Sequence, residues 1–373
     1  MTRLSSHSDD LLRLTYYRGR VALYAILKGL GVGRGDDVLT QAFTCLAVPE
    51  GIRATGASPV FVDIQSGGVN LDAEDLKQKI TPKTRAIIVQ HTFGIPANMP
   101  AILQVAREHS IPVIEDCCHS LDSHLDGQRV GTFGVAAFYS FEWGKPIVAG
   151  IGGAARVNDP TLFESMLRDY SSLRMPDRTS SWKLQLQYQV HHLLYRPKLY
   201  WPLRTMFRKL SKLGAVKGNY NPISDEPAED FQLQMGPVER QRLENQLSTG
   251  PAAFTTHSQR LAEKLNAGLQ DVPGISLIHQ PDQASTVFAR YPLRVQDKPG
   301  LLREARRKNI ELAEWYATPV HPVPSSHGNR IGFDSESCPE AENRTRELVS
   351  LPLHQRVTEQ DIDRSIEFLR KAA

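Results

Sequence analysis

An α/β fold, with a mostly parallel sheet flanked by helices and a smaller α+β unit after it, is what this sequence predicts. Three observations predict it. Apolar runs of strand length alternate with helical periodicities from residue 20 to residue 157, the order expected of crossover units. The acid, the polar turns and a lysine that bear chemistry stand at the C-terminal ends of those runs, where open α/β sheets bind ligands. The chain has 373 residues, which favours two domains at roughly 150 residues each.

The elements follow in order. Val21, Leu23, Tyr24, Leu27 and Leu30 fall at helical spacing over 20–32, and Gly31 and Gly33 end that helix. Residues 38–43 read as a strand, 46–55 as a short helix and 59–64 as a buried strand. Residues 71–80 are helical, 85–91 a strand, 99–109 a helix and 111–116 a strand. Strands over 136–141 and 154–157 complete the set. Beyond them, Val238, Leu243, Leu247, Leu261, Leu265 and Leu269 suggest one long helical pattern. Strands over 275–277 and 289–295 and helices over 301–308 and 359–371 give the second unit. The division expected is 1–235, a large domain with an excursion at 158–224, and 236–373, a smaller α+β domain.

Composition narrows the class. Apolar residues make up 40% and charged residues 23%, ordinary for a soluble enzyme. The net charge of +3 points to no nucleic-acid partner. Four cysteines without a CxxC suggest neither a disulfide framework nor a metal cluster. The N-terminus lacks the apolar stretch of a signal peptide, and no apolar run is long enough to span a bilayer. A cytoplasmic location is expected. From Arg178 to Ser224 there are nine Lys or Arg and no acidic residue, with Trp182, Tyr188, Tyr195, Tyr200, Trp201 and Phe207 interleaved. That stretch reads either as a helical excursion with a solvated basic face or as a surface for anionic lipid or an anionic substrate tail.

The chemistry centres on Lys145. A strand-like run delivers Ser140 and, five positions later, Lys145, with Gly150, Gly152 and Gly153 beyond. Upstream, a buried-strand pattern ends at Asp116 and is followed by His119. A lysine amine can hold an aldehyde cofactor. A strand-end carboxylate can keep a ring nitrogen protonated. Gly19-Arg20 at a helix N-terminus offers backbone N–H groups and the helix dipole to a phosphate, and Ser140 adds a hydroxyl. Those four needs are the needs of pyridoxal 5′-phosphate (PLP).

Taken together, these segments resemble the DegT/DnrJ/EryC1/StrS family of sugar aminotransferases, PLP-dependent enzymes of fold-type I, the aspartate aminotransferase-like class. The resemblance is carried by Gly19-Arg20-Val21-Ala22-Leu23, Gly33-Arg34-Gly35-Asp36-Asp37, Gly56 to Ile64, His91-Thr92-Phe93-Gly94, Ile114-Glu115-Asp116, Gly127 to Gly134, Ser140 to Lys145 and Leu351-Pro352-Leu353-His354. It implies a mixed, mostly parallel seven-stranded sheet. It implies that Lys145 holds the cofactor, Asp116 pairs with its ring nitrogen, Ser140 and the Gly19-Arg20 amides bind its phosphate, and His119 lies beside the ring. It further implies a homodimer with active sites at the interface, residues 215–235 reaching the partner's site, and transfer of an amino group from a donor such as glutamate to a nucleotide-linked keto-sugar. In the family's dehydratase branch a histidine replaces the lysine, so Lys145 favours transamination over dehydration; a non-catalytic binding role is the remaining alternative.

Three positions depart from the family's pattern. Arg20 stands where a serine or threonine is common, and its charge could compensate. Cys45 stands where an aromatic often stacks on the cofactor. The usual Asn-Tyr-Arg stretch has only Asn219-Tyr220-Asn221 as a weak counterpart. Trp315, Tyr316 and His321 lie in a stretch resembling the substrate-side loop, with domain-interface packing as the equally ordinary reading.

Overall fold

The computed structural model describes residues 6–212, 229–249 and 251–372. Its main sheet has seven strands: β1 (Leu14–Tyr16), β2 (Asp37–Gln41), β3 (Ser58–Val62), β4 (Thr84–Gln90), β5 (Val113–Asp116), β6 (Ala136–Ser140) and β7 (Gly153–Val157). The spatial order is β3-β2-β4-β5-β6-β7-β1. The first five in that order are parallel, and β7 and β1 close one edge antiparallel. The edge strand β1 had too few residues to show in the sequence pattern.

Helices cover both faces because both faces of the central strands are apolar. Along β4 the side chains alternate. Ala86 and Ile88 pack with Val21, Leu23, Ile26 and Leu27 of α2 (Gly19–Gly29). Ile87 and Val89 pack with Leu76 and Ile102, carried by α4 (Ala73–Lys79) and α5 (Met99–Glu108). Between α2 and α4 lies the short α3 (Ala47–Arg53), and α1 (Ser6–Arg13) precedes β1.

After β7, α6 (Pro160–Tyr170), α7 (Arg178–Leu194) and α8 (Tyr200–Lys212) form the helical excursion. The long helical pattern expected through residue 269 is two helices, α9 (Pro237–Thr249) and α10 (Pro251–Leu269). Pro251 lacks an N–H and its ring clashes with the preceding turn, so it starts a new helix. Leu243 and Leu247 of α9 pack with Leu11, Tyr139 and Met235. A second sheet, β8 (Ile275–Leu277), β9 (Arg290–Val295) and β10 (Leu348–Pro352), is antiparallel throughout. With α10, α11 (Lys298–Arg307), α12 (Pro339–Glu347) and α13 (Glu359–Ala372) it makes the α+β part.

The two parts share a core. Phe43, Phe61 and Phe93, from the ligand-side ends of the main sheet, cluster with Tyr316, Val320 and Leu351. Thr44-Cys45 pairs in parallel with Val320-His321. The site predicted from sequence therefore lies under a wall contributed by residues 315–321.

Candidate active site

Asp116 ends β5 and Ser140 ends β6, on neighbouring parallel strands. Parallel pairing places both at the same edge of the sheet, and Lys145 follows five residues later. Asp116 is 4% exposed. One carboxylate oxygen accepts from the Cys118 N–H at 2.9 Å. Burial raises the Asp116 pKa, while the Cys118 N–H and the Lys145 charge oppose the rise. A buried carboxylate with this environment favours a cationic N–H as its partner.

His119 is buried and its Nδ1 accepts from the Phe93 N–H at 3.3 Å, which leaves the ring proton on Nε2. Burial first, and the Lys145 charge second, hold His119 well below the ordinary histidine value. The ring is neutral and acts by contact. It stacks on Phe93, with centroids 6.0 Å apart, and meets Trp315 at 5.0 Å. Lys145 Nζ lies 5.2 Å from the Trp315 ring centroid. Lys145 also acts electrostatically on Cys45 and Cys118. The lysine, acid and imidazole singled out from the sequence thus lie within electrostatic reach of one another, and Cys45 with them.

Although position 45 is a cysteine, aromatics from residues 315–316 stand beside His119. Trp315 brings its indole between His119 and Lys145. Tyr316 packs edge-on against Phe43 at 5.2 Å behind it. His321 is part of the wall rather than a free group: its Nδ1 accepts from the Ala317 N–H at 3.2 Å.

Beside Ser140 lies the N-terminus of α2. Helices α4, α5, α6, α7 and α11 are each capped by the side chain of their own Asp or Asn. Arg18, which precedes α2, makes no such bond. A Cβ on Gly19 would meet Ser140 Cβ at 3.0 Å and the Tyr139 carbonyl at 3.2 Å, so glycine is what lets the helix end pack directly against Ser140. Gly153 serves the same junction, because a Cβ there would lie 2.4 Å from the Arg18 carbonyl. The glycine run thus admits the chain's own backbone.

Arg20 does not play the compensating part expected of it. Its guanidinium donates to Glu50 at 2.9 Å and to Asp230 at 2.8 Å. Arg18 donates to the same Asp230 oxygen at 2.9 Å and to Glu142 at 3.0 Å. Glu142 and Asp230 hold Arg18 charged against the penalty of its burial. Sequence reasoning missed this network. Glu142 sat in plain view between Ser140 and Lys145, but the turn Glu229–Gln232 that carries Asp230 is far away in sequence. That segment packs on its own chain, with Tyr17 N–H donating to the Leu233 carbonyl at 3.1 Å. Asn219-Tyr220-Asn221 lies outside the described residues.

One further cluster resembles a metal site without the free ligands to serve as one. Ligand atoms of His91, Glu115 and Cys117 lie within 4.8 Å of one another. Glu115 already accepts from the N–H groups of Gly131, Phe133 and Gly134 at 2.6, 2.8 and 2.8 Å. His91 Nδ1 accepts from the Ala97 N–H, and Nε2 meets Glu115. The trio ties the Gly131–Gly134 loop to β5.

The donor set fits PLP. An amine, a buried carboxylate, a flat neutral ring and a helix N-terminus without a side-chain cap beside Ser140 are the kinds of group its parts need.

Comparison with known proteins agrees. The family model described as DegT/DnrJ/EryC1/StrS aminotransferase matches residues 7–189 and 245–370. The chain is 39% identical over 153 residues to GDP-perosamine synthase of Escherichia coli O157:H7, a match covering 41% of this chain and 42% of that relative. It is 30% identical over 372 residues to the erythromycin biosynthesis sensory transduction protein EryC1 of Saccharopolyspora erythraea, covering 99% of this chain and 88% of that one. Among solved structures it is similar to S. venezuelae DesV, with TM-score 0.72 and 25% identity over 96% of this chain and 84% of that one.

Proposed function

The chain belongs to the DegT/DnrJ/EryC1/StrS aminotransferase family, and from that premise we propose that it is a PLP-dependent aminotransferase that aminates a nucleotide-linked keto-sugar. The observation that carries the reading is the convergence of Lys145, Asp116 and His119 on one space beside the α2 N-terminus. The relative named for GDP-perosamine supports a nucleotide-linked substrate.

When bound, PLP supplies an aldehyde for amines and a cationic ring that takes up the electron pair released at the substrate carbon. The protein's residues do the rest. Lys145 Nζ would hold the aldehyde, and its amine would carry the proton to and from the substrate carbon. Buried Asp116 would pair with the ring nitrogen and favour its protonated form. Neutral His119 and Trp315 bound the ring and exclude water from it. Ser140 Oγ and the backbone N–H groups of Gly19 and Arg20 hold the phosphate. Glutamate is the donor in this reading, two copies of the chain form the working enzyme, and the four free thiols suit a reducing cytoplasm. Among the described residues no helix is long and apolar enough to cross a membrane.

The test is direct. PLP-loaded protein is given 15N-labelled glutamate and a nucleotide-linked keto-sugar, and the sugar is weighed by mass spectrometry. The visible absorbance of the lysine-held cofactor is expected to bleach with glutamate alone, and 15N to appear on the sugar. Bleaching without labelled sugar would overturn the substrate class. Protein that holds no chromophore would favour the binding alternative.

A further inference from the structure

Helix α7 is apolar on two opposite faces, and only one of them is used. On the inward face Leu184 is buried, Tyr188 lies under the Arg242 guanidinium at 3.6 Å, and His191 meets Trp143 at 4.6 Å. On the outward face Trp182, Leu186, Val190, Leu193 and Leu194 are 67, 54, 40, 67 and 42% exposed. Their spacing, i, i+4, i+8, i+11 and i+12, makes one continuous row at 3.6 residues per turn. One apolar face suffices to hold a surface helix on a domain, so folding accounts for the inward row and leaves the outward row without a reason. Exposed apolar rows of this kind mark contact sites.

The charge around the row says what it contacts. Arg178 and Lys183 border it on the helix, and Arg196 and Lys198 follow; all four are exposed. No acidic residue occurs from 178 to 224. An apolar row with an aromatic at one end and cationic side chains along its border is the pattern of a helix lying in a bilayer interface. A second copy of the chain is the poorer fit. Two-fold pairing of this face with itself would set the cationic border against an identical one, with no acid within 178–224 to compensate. The family match stops at residue 189 and resumes at 245, so Val190, Leu193 and Leu194 lie outside it.

We propose that the outward face of α7 docks peripherally on an anionic membrane surface, with Trp182 and the leucines at the headgroup boundary and Arg178, Lys183, Arg196 and Lys198 on lipid phosphates. The proposal stands apart from the aminotransferase reading. Its test is flotation of the full-length, PLP-loaded protein with phosphatidylcholine vesicles and with vesicles that also contain phosphatidylglycerol. Co-flotation is expected only with the anionic vesicles and is expected to fall at high salt. The triple variant Trp182→Ser, Leu186→Ser, Leu193→Ser should cut the bound fraction at least roughly tenfold, with melting temperature and cofactor chromophore unchanged. Lys183→Glu should weaken binding on its own. The proposal is overturned by no co-flotation with anionic vesicles, or by a triple variant that floats like the parent. It is also overturned if the native protein ignores vesicles and the triple variant only dissociates an oligomer, which would make the face an interface between copies.

Discussion

The two ends of the cofactor space are built by opposite electrostatic means. At the ring end a few ionisable groups stand close together: buried Asp116 with a backbone donor from Cys118, a buried and neutral His119, and half-buried Lys145 over an indole. At the phosphate end two guanidiniums and three carboxylates already pair with one another, with Arg20 Nε and Asp230 Oδ1 left over. The first arrangement leaves charge for a ligand to complete. The second leaves only backbone N–H groups and a hydroxyl, because its charged side chains are engaged. Function and stability are thus carried by adjacent but different groups.

Lys145→Ala is the sharpest way to break that contrast. It should slow glutamate-driven amine transfer by about a thousandfold or more while leaving the unfolding free energy nearly unchanged, as read by absorbance kinetics and denaturant titration. Arg20→Ala should do the reverse. It leaves half-buried Glu50 without its guanidinium and Asp230 with Arg18 alone, and should lower the unfolding free energy by about 2 kcal/mol; a transfer rate reduced as far as in Lys145→Ala would erase the distinction. Asp116→Asn keeps the shape and removes the ring-end charge, so stability should hold and the rate should fall about a hundredfold.

The smallest effect concerns pH. Burial keeps the His119 pKa below the ordinary value of about 6.5, so below that pH the unfolded chain binds a proton there that the folded chain does not. The stability from a neutral His119 is complete above about pH 6.5 and is lost as pH falls toward the folded value. His119→Gln should therefore flatten the decline in stability between about pH 6.5 and pH 5; an unchanged slope would mean that the ring titrates normally.

What could be read from the sequence follows the same division. Asp116, His119, Ser140 and Lys145 were legible because each stands at or just after a strand end, and a parallel sheet gathers strand ends. The central parallel strands were legible for a related reason, since they are continuous apolar runs; the count of seven came from the family resemblance, because the three-residue edge strand β1 leaves no pattern. The Arg18–Asp230–Arg20 network was not, because its acid comes from a turn 210 residues beyond Arg20 with no periodicity to betray it. Trp315 was noticed, yet its place against His119 depends on the pairing of Val320-His321 with Thr44-Cys45, a contact between distant segments. The break between α9 and α10 was in view as Pro251, and the leucine spacing on either side concealed it.

The central claim is that Lys145, rather than another lysine, holds the cofactor. Hydride reduction of the PLP-loaded protein fixes the cofactor to its lysine, and proteolysis with mass spectrometry identifies the peptide. The expected result is a single labelled peptide with the modification on Lys145. A label on any other lysine, or PLP-loaded protein with no fixed label, would contradict the account.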